Sequence, residues 1–581
     1  MLHFNRKTYL LVESRQAWTT LSTRMIDLTP ETEILNDQKP DTKAMLLRNR
    51  IYRSGLIAIT LSYCVWVLSL PLFPTMDGPV HLYYMHVLSA LLHKGPSVYK
   101  NYYVIKSILP PYSFYYYLEI LLSTIVPALV ADKLVICIFF VLFVSGFRYL
   151  ATAIGPNGEL MTLLATPLLL NWPLGKGFVN FCLAVALAMW AVGLWMRVAG
   201  MAGHRRKILF VVLAYLTMLT HPIPLLFILG FGFAELSVRF VRHIRSGDKN
   251  ENYFSYLMQD ALYLLLAAGT LLYVKLFTVS NMLQQTETPK PTIHNFADNA
   301  LAYLFQYSLD VFRGDEASVT VYRIAICLIL VLPLGIAIWQ TLRHIREGVW
   351  RTGDTWLALS LGMILAMPFV PLEMNHAFSF AYRLVFVVWL AGIAAGSVLP
   401  RSTGTFGVAV VLFSLGCNAL ILTLARERIS PVAREIARAA TIGPEGDGQP
   451  GPGLLLNEYK PVKTLNYDPY FWAGAHYFRV HDAVLYDSPW LNNPIIPVGA
   501  AASFPNARLE DMAMERPLYL RDLMASSPEI RDSVLSKVRF VVISHGVGVE
   551  AKESVAILAA DPRGGWSCTS RGWFDLCTQA N

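Results

Sequence analysis

The chain has 581 residues, of which 55% are hydrophobic and only 15% are charged, against about 25% charged residues in a typical soluble domain. Its net charge of +8 arises in residues 1–425, which carry 32 basic and 22 acidic side chains, whereas residues 426–581 carry 16 and 18. Because basic residues in short loops set the orientation of membrane helices, this excess gives no reason to expect a nucleic-acid partner. The composition indicates an integral membrane protein.

Residues 1–53 are polar and mixed in charge, and we expect them to form a cytoplasmic tail. They lack a short apolar core followed by a small-residue cleavage site, so no removable signal peptide is predicted. Residues 54–424 contain repeated apolar runs of about 18 to 22 residues, the length that crosses a hydrocarbon core. The clearest runs are Leu56–Phe73, Leu134–Ile154, Leu257–Phe277, Ile324–Thr341, Phe380–Leu399 and Phe406–Leu424. The sequence predicts an α-helical polytopic membrane protein with about ten or eleven transmembrane helices, the first of which is an uncleaved signal anchor.

Basic residues concentrate in a few short segments, which the positive-inside rule places in the cytoplasm. These segments are residues 1–53, Arg205–Lys207, Arg239–Lys249 and Arg343–Arg351. The pattern places the N-terminus inside, and the first outer loop (residues 74–111) and residues 425–581 outside. The apolar stretch interrupted at Asn171–Gly177 is open to two interpretations. One broken crossing is preferred, because it gives eleven spans and keeps the basic loops inside, whereas two crossings would put Arg205–Lys207 outside.

The first outer loop contains a single acidic residue before Leu118, in the segment Asp77-Gly-Pro-Val-His81. Pro79 suits the first turn of a helix and Gly95 suits its end, so a helix of about four turns is predicted. Asp77 and His81 then lie near each other at its start, where the helix dipole favours an ionised carboxylate. Such a carboxylate can accept a proton from a hydroxyl group or bind a metal ion. The structural alternatives are a helix cap for Asp77 and surface packing for His81.

Arg383 lies about two turns inside a late apolar segment. An arginine within a span normally faces a cavity or a partner, and its planar fork suits phosphate oxygens. The alternative is that its side chain snorkels to the outer interface. Further polar or aromatic candidates for substrate binding at the outer face are Lys176, His221, Glu373, His376 and Tyr84. Of these, His221 is expected at the outer apex of a hairpin of short helices, Ile208–Thr220 and Pro222–Phe240.

Residues 425–581 are predicted to form a mixed α/β domain behind a Gly/Pro linker, with Arg539–Ser544 as a buried strand followed by a helix. Cys568 and Cys577 flank a plausible hairpin turn, which predicts a disulfide and therefore an oxidising compartment. The alternative is two free cysteines in a small domain. The other five cysteines lie in or beside apolar helices and are expected to be packing residues.

This layout resembles the GT-C superfamily of integral membrane glycosyltransferases, which use lipid-phosphate-linked sugars. The Asp77–Leu82 segment is similar to the Asp-x-Pro-x-His-Leu pattern of an uncharacterised bacterial branch, and Thr220-His-Pro and Tyr382-Arg383 resemble recurrent features of the group. The resemblance implies that Asp77 is the general base or a metal ligand and that His81 orients it or the acceptor. GT-C members often carry two acidic residues in this loop. Only one is present here, with Gly78 beside it, which argues against a metal site and leaves a divalent metal (Mg²⁺ or Mn²⁺) as the alternative. The resemblance to bacterial members also implies that the outer side is the periplasm of an inner membrane.

The leading hypothesis is a glycosyltransferase that moves a sugar from a polyprenyl-phosphate donor to a glycan, glycolipid or protein acceptor in the cell envelope. The sequence carries no Walker loop or Rossmann glycine pattern, which fits a sugar donor that is already lipid-linked. A lipid or polysaccharide transporter or flippase is the second hypothesis, and it predicts internal repeats. The third is a non-catalytic scaffold of polysaccharide assembly, for which Asp77 would be dispensable.

Overall fold

The structure is a computed structural model that describes most of the membrane region and part of the C-terminal region. The described residues are 42–93, 95–107, 109–201, 203–246, 251–282, 310–348, 351–366, 380–398, 405–441, 452–457, 465, 467–470, 472–486, 498–500, 535–536, 538–545, 555–556, 558 and 565–579.

The membrane region is built from helices whose apolar side chains cover nearly their whole circumference. In chain order they are α1 (Thr42–Ser69), α2 (Gly78–Leu92), α3 (Ser113–Ser123), α4 (Ala128–Ile154), α5 (Gly158–Ala165), α6 (Trp172–Gly175), α7 (Val179–Val198), α8 (His204–Thr220), α9 (Ile223–Ser246), α10 (Glu251–Met282), α11 (Ala317–Glu347), α12 (Thr352–Ala366), α13 (Phe380–Ala395) and α14 (Thr405–Ala440). Seven of the described helices are long and apolar enough to cross a membrane, and two shorter ones are also apolar. The chain is a multi-pass membrane protein, as the sequence predicts.

Side-chain contacts define two ends of this helix bundle. At one end, Glu159 accepts hydrogen bonds from Arg53 and Arg148 at 3.0 and 3.1 Å. At the other end, the backbone N–H of Asp77 donates to the carbonyl of Lys176 at 3.0 Å. We call these the Glu159 end and the Asp77 end.

Consecutive connections alternate between the two ends. The α8–α9 turn at His221 meets Arg383 at the Asp77 end, and the backbone N–H of Asn157 bonds to the carbonyl of Ser397 at the Glu159 end. The described helices make eleven passes between the ends. These passes are α1, α4, α5 with the 3₁₀ turn Thr166–Leu169, α7, α8, α9, α10, α11, α12, α13 and α14. The α8–α9 hairpin and its apex at His221 are therefore found as predicted, although α9 contains a 22-residue candidate span and is not a short helix.

Residues 155–200 pass through the bundle twice, so the preferred interpretation of one broken crossing was wrong. The Asn171–Gly177 segment is a reversal at the Asp77 end, and Arg197 at the end of α7 returns to bond Thr152 at 2.9 Å, beside the Glu159 end. Pro167 and Pro173 explain why the sequence suggested a single crossing. They limit the helix that runs toward the Asp77 end to α5 and a short 3₁₀ turn. Lys207 follows directly after this return and pairs with Asp260 at 2.6 Å.

The C-terminal region folds into a mixed five-stranded sheet with one helix against it. The strands are β2 (Gly453–Asn457), β3 (Leu485–Tyr486), β5 (Phe540–Ser544), β6 (Trp566–Ser570) and β7 (Phe574–Gln579), in the order β3-β2-β5-β7-β6, and the helix is α15 (Gly474–Val480). β2 is parallel to β3 and β5, whereas β7 is antiparallel to both neighbours. The mixed α/β prediction is confirmed, including the buried strand at Arg539–Ser544. The helix expected after it lies outside the described residues.

Two details of this region bear on the sequence predictions. Cys568 and Cys577 lie opposite each other on β6 and β7 and form a disulfide, as predicted. The boundary expected at residue 425 lies inside α14, which continues through Pro431 to Ala440. The last pass of the bundle therefore leads without a break toward the C-terminal sheet.

The C-terminal region is joined to the first outer loop by backbone pairing and by buried tyrosines. β1 (Tyr103–Ile105) in the first outer loop pairs antiparallel with β4 (Val498–Ala500). The hydroxyl of Tyr83 accepts from the N–H of Leu485 at 2.8 Å and donates to the carbonyl of Ala483 at 3.1 Å. Because both groups are buried, this loop and this region form one packed unit at the Asp77 end.

We predict that Tyr83→Phe loosens this joint. The substitution leaves the Leu485 N–H and the Ala483 carbonyl without the Tyr83 hydroxyl, and a buried group left unpaired costs about 1–3 kcal/mol. Purified Tyr83→Phe protein should unfold at a lower temperature and release its C-terminal region at lower protease concentration. Tyr215→Phe, on the partly exposed face of α8, is the matched control. Equal protease sensitivity of the two variants would contradict the prediction.

Candidate active site

The site is built where two loops lie backbone to backbone at the Asp77 end. The N–H groups of Met76 and Asp77 donate to the carbonyls of Gly175 and Lys176, both at 3.0 Å. Gly177 has a φ of +89°, and a Cβ on it would lie 2.5 Å from the backbone nitrogen of Gly78. Only glycine allows this approach, so the Gly-Lys-Gly sequence fixes the distance between the two loops.

Asp77 precedes α2 but does not cap it with its side chain. The N–H of Gly78 instead donates to the hydroxyl of Thr75 at 3.1 Å. The Asp77 side chain is 9% exposed, and burial raises its pKa to about 6, while the positive charges of Lys176 and Arg383 act in the opposite direction. Asp77 is therefore mostly ionised at neutral pH, held in a pocket with two cations, and can accept a proton there.

Arg383 is enclosed in the bundle, with 8% of its surface exposed, so the snorkelling alternative was wrong. Its guanidinium lies 3.9 Å from the ring centroid of Phe178, and its Nη1 lies 2.9 Å from Nε2 of His221. Among the described residues its Nε has no hydrogen-bond partner. A buried guanidinium with an unused donor is suited to bind a hydrogen-bond acceptor such as an anionic oxygen.

His221 faces hydrogen-bond donors on both sides of its ring. Its Nδ1 accepts from the N–H of Ile223 at 3.2 Å, and its Nε2 faces the Arg383 guanidinium, which has only donors. A neutral imidazole accepts at one nitrogen only, so the ring cannot satisfy both contacts at once. An anionic oxygen placed beside Nε2 and Arg383 would accept from both and remove the conflict.

Lys176 extends the positive charge of the pocket toward Asp77. Its Nζ lies 3.1 Å from the sulfur of Met76 and 5.1 Å from the ring centroid of Trp172. Burial lowers its pKa, whereas the carboxylates of Asp77 and Asp468 raise it. Asp468 belongs to the C-terminal region, which therefore contributes a charge to the pocket.

His81 lies one turn along α2 from Asp77, as predicted. Its Nδ1 is 2.7 Å from the Tyr116 hydroxyl, and its ring packs edge-on against Tyr115 and Tyr116. Burial and the charge of Arg383 lower its pKa to about 4, so the ring is neutral at pH 7. The contact with Tyr116 fixes His81 to α3 and so fixes α2 beside the pocket.

Sequence reasoning missed three residues of the pocket. Tyr112 has a φ of +77° and its ring centroid lies 4.5 Å from that of His221, so a strained backbone places it against the imidazole. Tyr467 packs against Gly175 and donates to the carbonyl of Pro74 at 3.3 Å. Phe178 is the ring beneath Arg383. Only Tyr112 had a local signal, since it follows two prolines.

The remaining predicted site residues divide into two groups. Tyr84 is buried and packs against Tyr83, beneath the C-terminal region. Glu373 and His376 lie outside the described residues. Within the described residues, no group of three or more His, Cys, Asp or Glu side chains is arranged to hold a metal ion.

No protein-family model matches this sequence, and no curated protein matches it. Solved structures to which the chain is similar include arabinofuranosyltransferase AftD from Mycobacteria, at 14% identity and a TM-score of 0.48, covering 92% of this chain and 40% of AftD. ArnT from Cupriavidus metallidurans in the apo state is similar at 11% identity and a TM-score of 0.49, covering 91% of this chain and 98% of ArnT. For ArnT bound to undecaprenyl phosphate the identity is 11% and the TM-score 0.46, covering 90% of this chain and 97% of ArnT.

This chain spans 40% of the length of AftD. At these identities, and with TM-scores below 0.5, the similarities do not assign a reaction or a substrate to this chain. A function must therefore be argued from the pocket itself.

We predict that Asp77→Asn stabilises the protein at alkaline pH. Because the pKa of Asp77 is raised from 3.8 to about 6, the folded state retains a proton that the unfolded chain loses, so stability falls as pH rises through 6. Asparagine does not titrate, so Asp77→Asn avoids this loss of folding free energy, which is about 3 kcal/mol at pH 8. Near pH 4 the variant and the parent should differ little in stability. Thermal unfolding at both pH values checks this. The exposed Asp315→Asn is the control, and a less stable Asp77→Asn at pH 8 would contradict it.

We predict that Gly177→Ala separates the two loops of the site. The new Cβ meets the backbone at Gly78 and the residue must also keep a positive φ, so the cost is at least about 1–2 kcal/mol. The melting temperature should fall, and the backbone N–H groups of Met76 and Asp77 should exchange hydrogen faster than in the parent. Gly269→Ala, where a Cβ meets nothing within 4 Å, is the control. Unchanged hydrogen exchange at Met76 and Asp77 would disprove the proposed loop contact.

Proposed function

We propose that this protein is a membrane glycosyltransferase that moves a sugar from a polyprenyl-phosphate donor to an acceptor hydroxyl on the extracytoplasmic face. The observation that carries the proposal is the shared pocket of Asp77, Arg383 and Lys176, with His221 beside the guanidinium. The pocket combines a carboxylate that can accept a proton with cationic side chains that can bind a phosphate group. Glycosyl transfer from a lipid phosphate needs both at once.

The donor phosphate would bind between Arg383, His221 and Lys176. Its oxygens would accept from the unused Arg383 Nε–H and from His221 Nε2–H, whose Nδ1 could then keep its bond from Ile223. This single ligand satisfies the buried donors that conflict in the free protein. Charge-assisted bonds of this kind are about twice as strong as neutral ones.

Transfer would then proceed as a displacement at the anomeric carbon of the sugar. The acceptor oxygen forms a bond to that carbon as its proton passes to the Asp77 carboxylate. The bond from the carbon to the phosphate oxygen breaks, and the lipid leaves as a phosphate monoester. Arg383 and Lys176 stabilise the charge that develops on that oxygen, so proton and leaving group are both accounted for.

Two further features support the outer location of this chemistry. The Cys568–Cys577 disulfide suits an oxidising compartment, and the sheet that carries it is joined to the loop of Asp77. The basic segment Arg205–Lys207 lies at the opposite end of the bundle, where the positive-inside rule expects the cytoplasm. A transporter requires ionisable groups near the bilayer centre in both halves of the protein. In this protein Asp77, Lys176 and Arg383 instead meet at one end of the bundle.

Binding of undecaprenyl phosphate tests the donor site without knowledge of the sugar. Native mass spectrometry or thermal-shift titration of the purified protein should show saturable binding. Arg383→Gln should weaken it at least about tenfold, through loss of a charge-assisted contact. The control is Arg343→Gln, an exposed arginine paired with Glu347 at the Glu159 end.

Asp77→Asn separates the two halves of the proposal. It should bind undecaprenyl phosphate as well as the parent, because it removes a negative charge, yet fail to restore the envelope glycan profile of a deletion strain. Equal lipid affinity of Arg383→Gln and the parent would overturn the phosphate site. Full complementation by Asp77→Asn would overturn its role as general base.

A further inference from the structure

A second group of buried polar side chains lies where the first outer loop, α4 and the C-terminal region meet. We call it the interdomain polar cluster. It consists of Tyr99, Tyr115, Glu119, Asp132, His476 and Arg479, each at most 8% exposed. Tyr115 and Glu119 lie on α3, Asp132 in the second turn of α4, and His476 and Arg479 on α15. Three separate parts of the chain therefore contribute to it.

The hydrogen-bonding capacity of this cluster is largely unused. Five of its atoms have no partner among the described residues: Tyr99 Oη, Tyr115 Oη, Glu119 Oε2, His476 Nδ1 and Arg479 Nε. More than nine in ten buried polar groups in proteins are paired, and an unpaired one costs about 1–3 kcal/mol. Five unpaired polar atoms at the junction of the membrane region and the C-terminal region suggest that one ligand pairs with several of them.

Members of the cluster lie within electrostatic range of one another. Arg479 lies within electrostatic range of Glu119, Asp132 and Tyr99. Tyr115 interacts in the same way with Glu119 and Asp132. Arg479 comes from the C-terminal region and the carboxylates from the membrane region, so the cluster exists only when the two are docked.

We propose that the interdomain polar cluster is a saccharide-binding subsite that holds hydroxyl groups of the acceptor; this rests on the glycosyl transfer proposed above. The cluster adjoins the catalytic pocket through α3. The ring centroid of Tyr115 lies 6.3 Å from that of His81, and the next residue, Tyr116, bonds His81 at 2.7 Å. A sugar held here would therefore lie beside the helix whose tyrosines contact His81.

The composition of the cluster selects hydroxyl groups over other ligands. A hydroxyl both donates and accepts, so vicinal hydroxyls can donate to Glu119 and Asp132 while accepting from Arg479. An anion would meet two carboxylates, and a cation would meet Arg479. No metal-binding group occurs in the described part of the chain. A neutral sugar is the ligand that satisfies both signs of charge.

Saturation-transfer difference NMR on the full-length protein tests the subsite. The probes are the methyl glycosides of glucose, galactose, mannose and arabinofuranose. We expect saturation transfer to at least one of them, with affinity reduced roughly tenfold in Glu119→Gln and in Arg479→Gln through loss of a hydrogen bond to a charged group. Glu347→Gln, an exposed acid in an ion pair elsewhere, is the control.

A further isosteric variant, Asp132→Asn, separates loss of glycoside binding from loss of folding. Asp132→Asn should lose glycoside binding while eluting as the parent in size exclusion and retaining undecaprenyl phosphate binding. Absence of saturation for every glycoside, or equal affinity in the parent and the three variants, would overturn the subsite and leave the donor site standing. Glycoside binding without undecaprenyl phosphate binding would uphold the subsite and overturn the proposed donor.

Discussion

The burial of Arg383 is the constraint on which the rest of the site depends. Removing a guanidinium from water costs several kcal/mol unless charges and hydrogen bonds replace its hydration. Among the described residues, that replacement comes from the face of Phe178, the imidazole of His221 and the more distant charge of Asp77. These described contacts leave the Nε donor of Arg383 unpaired.

The sequence supported the elements of this fold because each had a local physical signal. Apolar runs of bilayer length predicted the membrane helices, and Pro79 after Asp77 placed the start of α2. The plausible hairpin turn between Cys568 and Cys577 predicted that the two cysteines lie within disulfide reach, and they do lie opposite each other. These inferences needed only neighbouring residues, so one sequence was enough.

The assembly of the site had no such signal. Arg383 and His221 are 162 residues apart, and Lys176 reaches Asp77 only because a turn taken for a broken crossing is a reversal. The positive φ of Tyr112 is imposed by tertiary packing rather than by its own residue type. The sequence identified the charged residues Asp77, Lys176 and Arg383 as candidates. Their proximity at one end of the bundle depends on how the eleven passes of the described helices pack together.

The pairing of the first outer loop with the C-terminal region has a consequence for biogenesis. The bond between Tyr83 and Leu485 joins residues 402 positions apart, so the loop leaves the translocon long before its partner strands are synthesised. Contacts of such high sequence separation form late. The nascent chain must therefore carry Asp77 in an open loop, and the contact that joins this loop to the C-terminal region forms only after Leu485 has been translated.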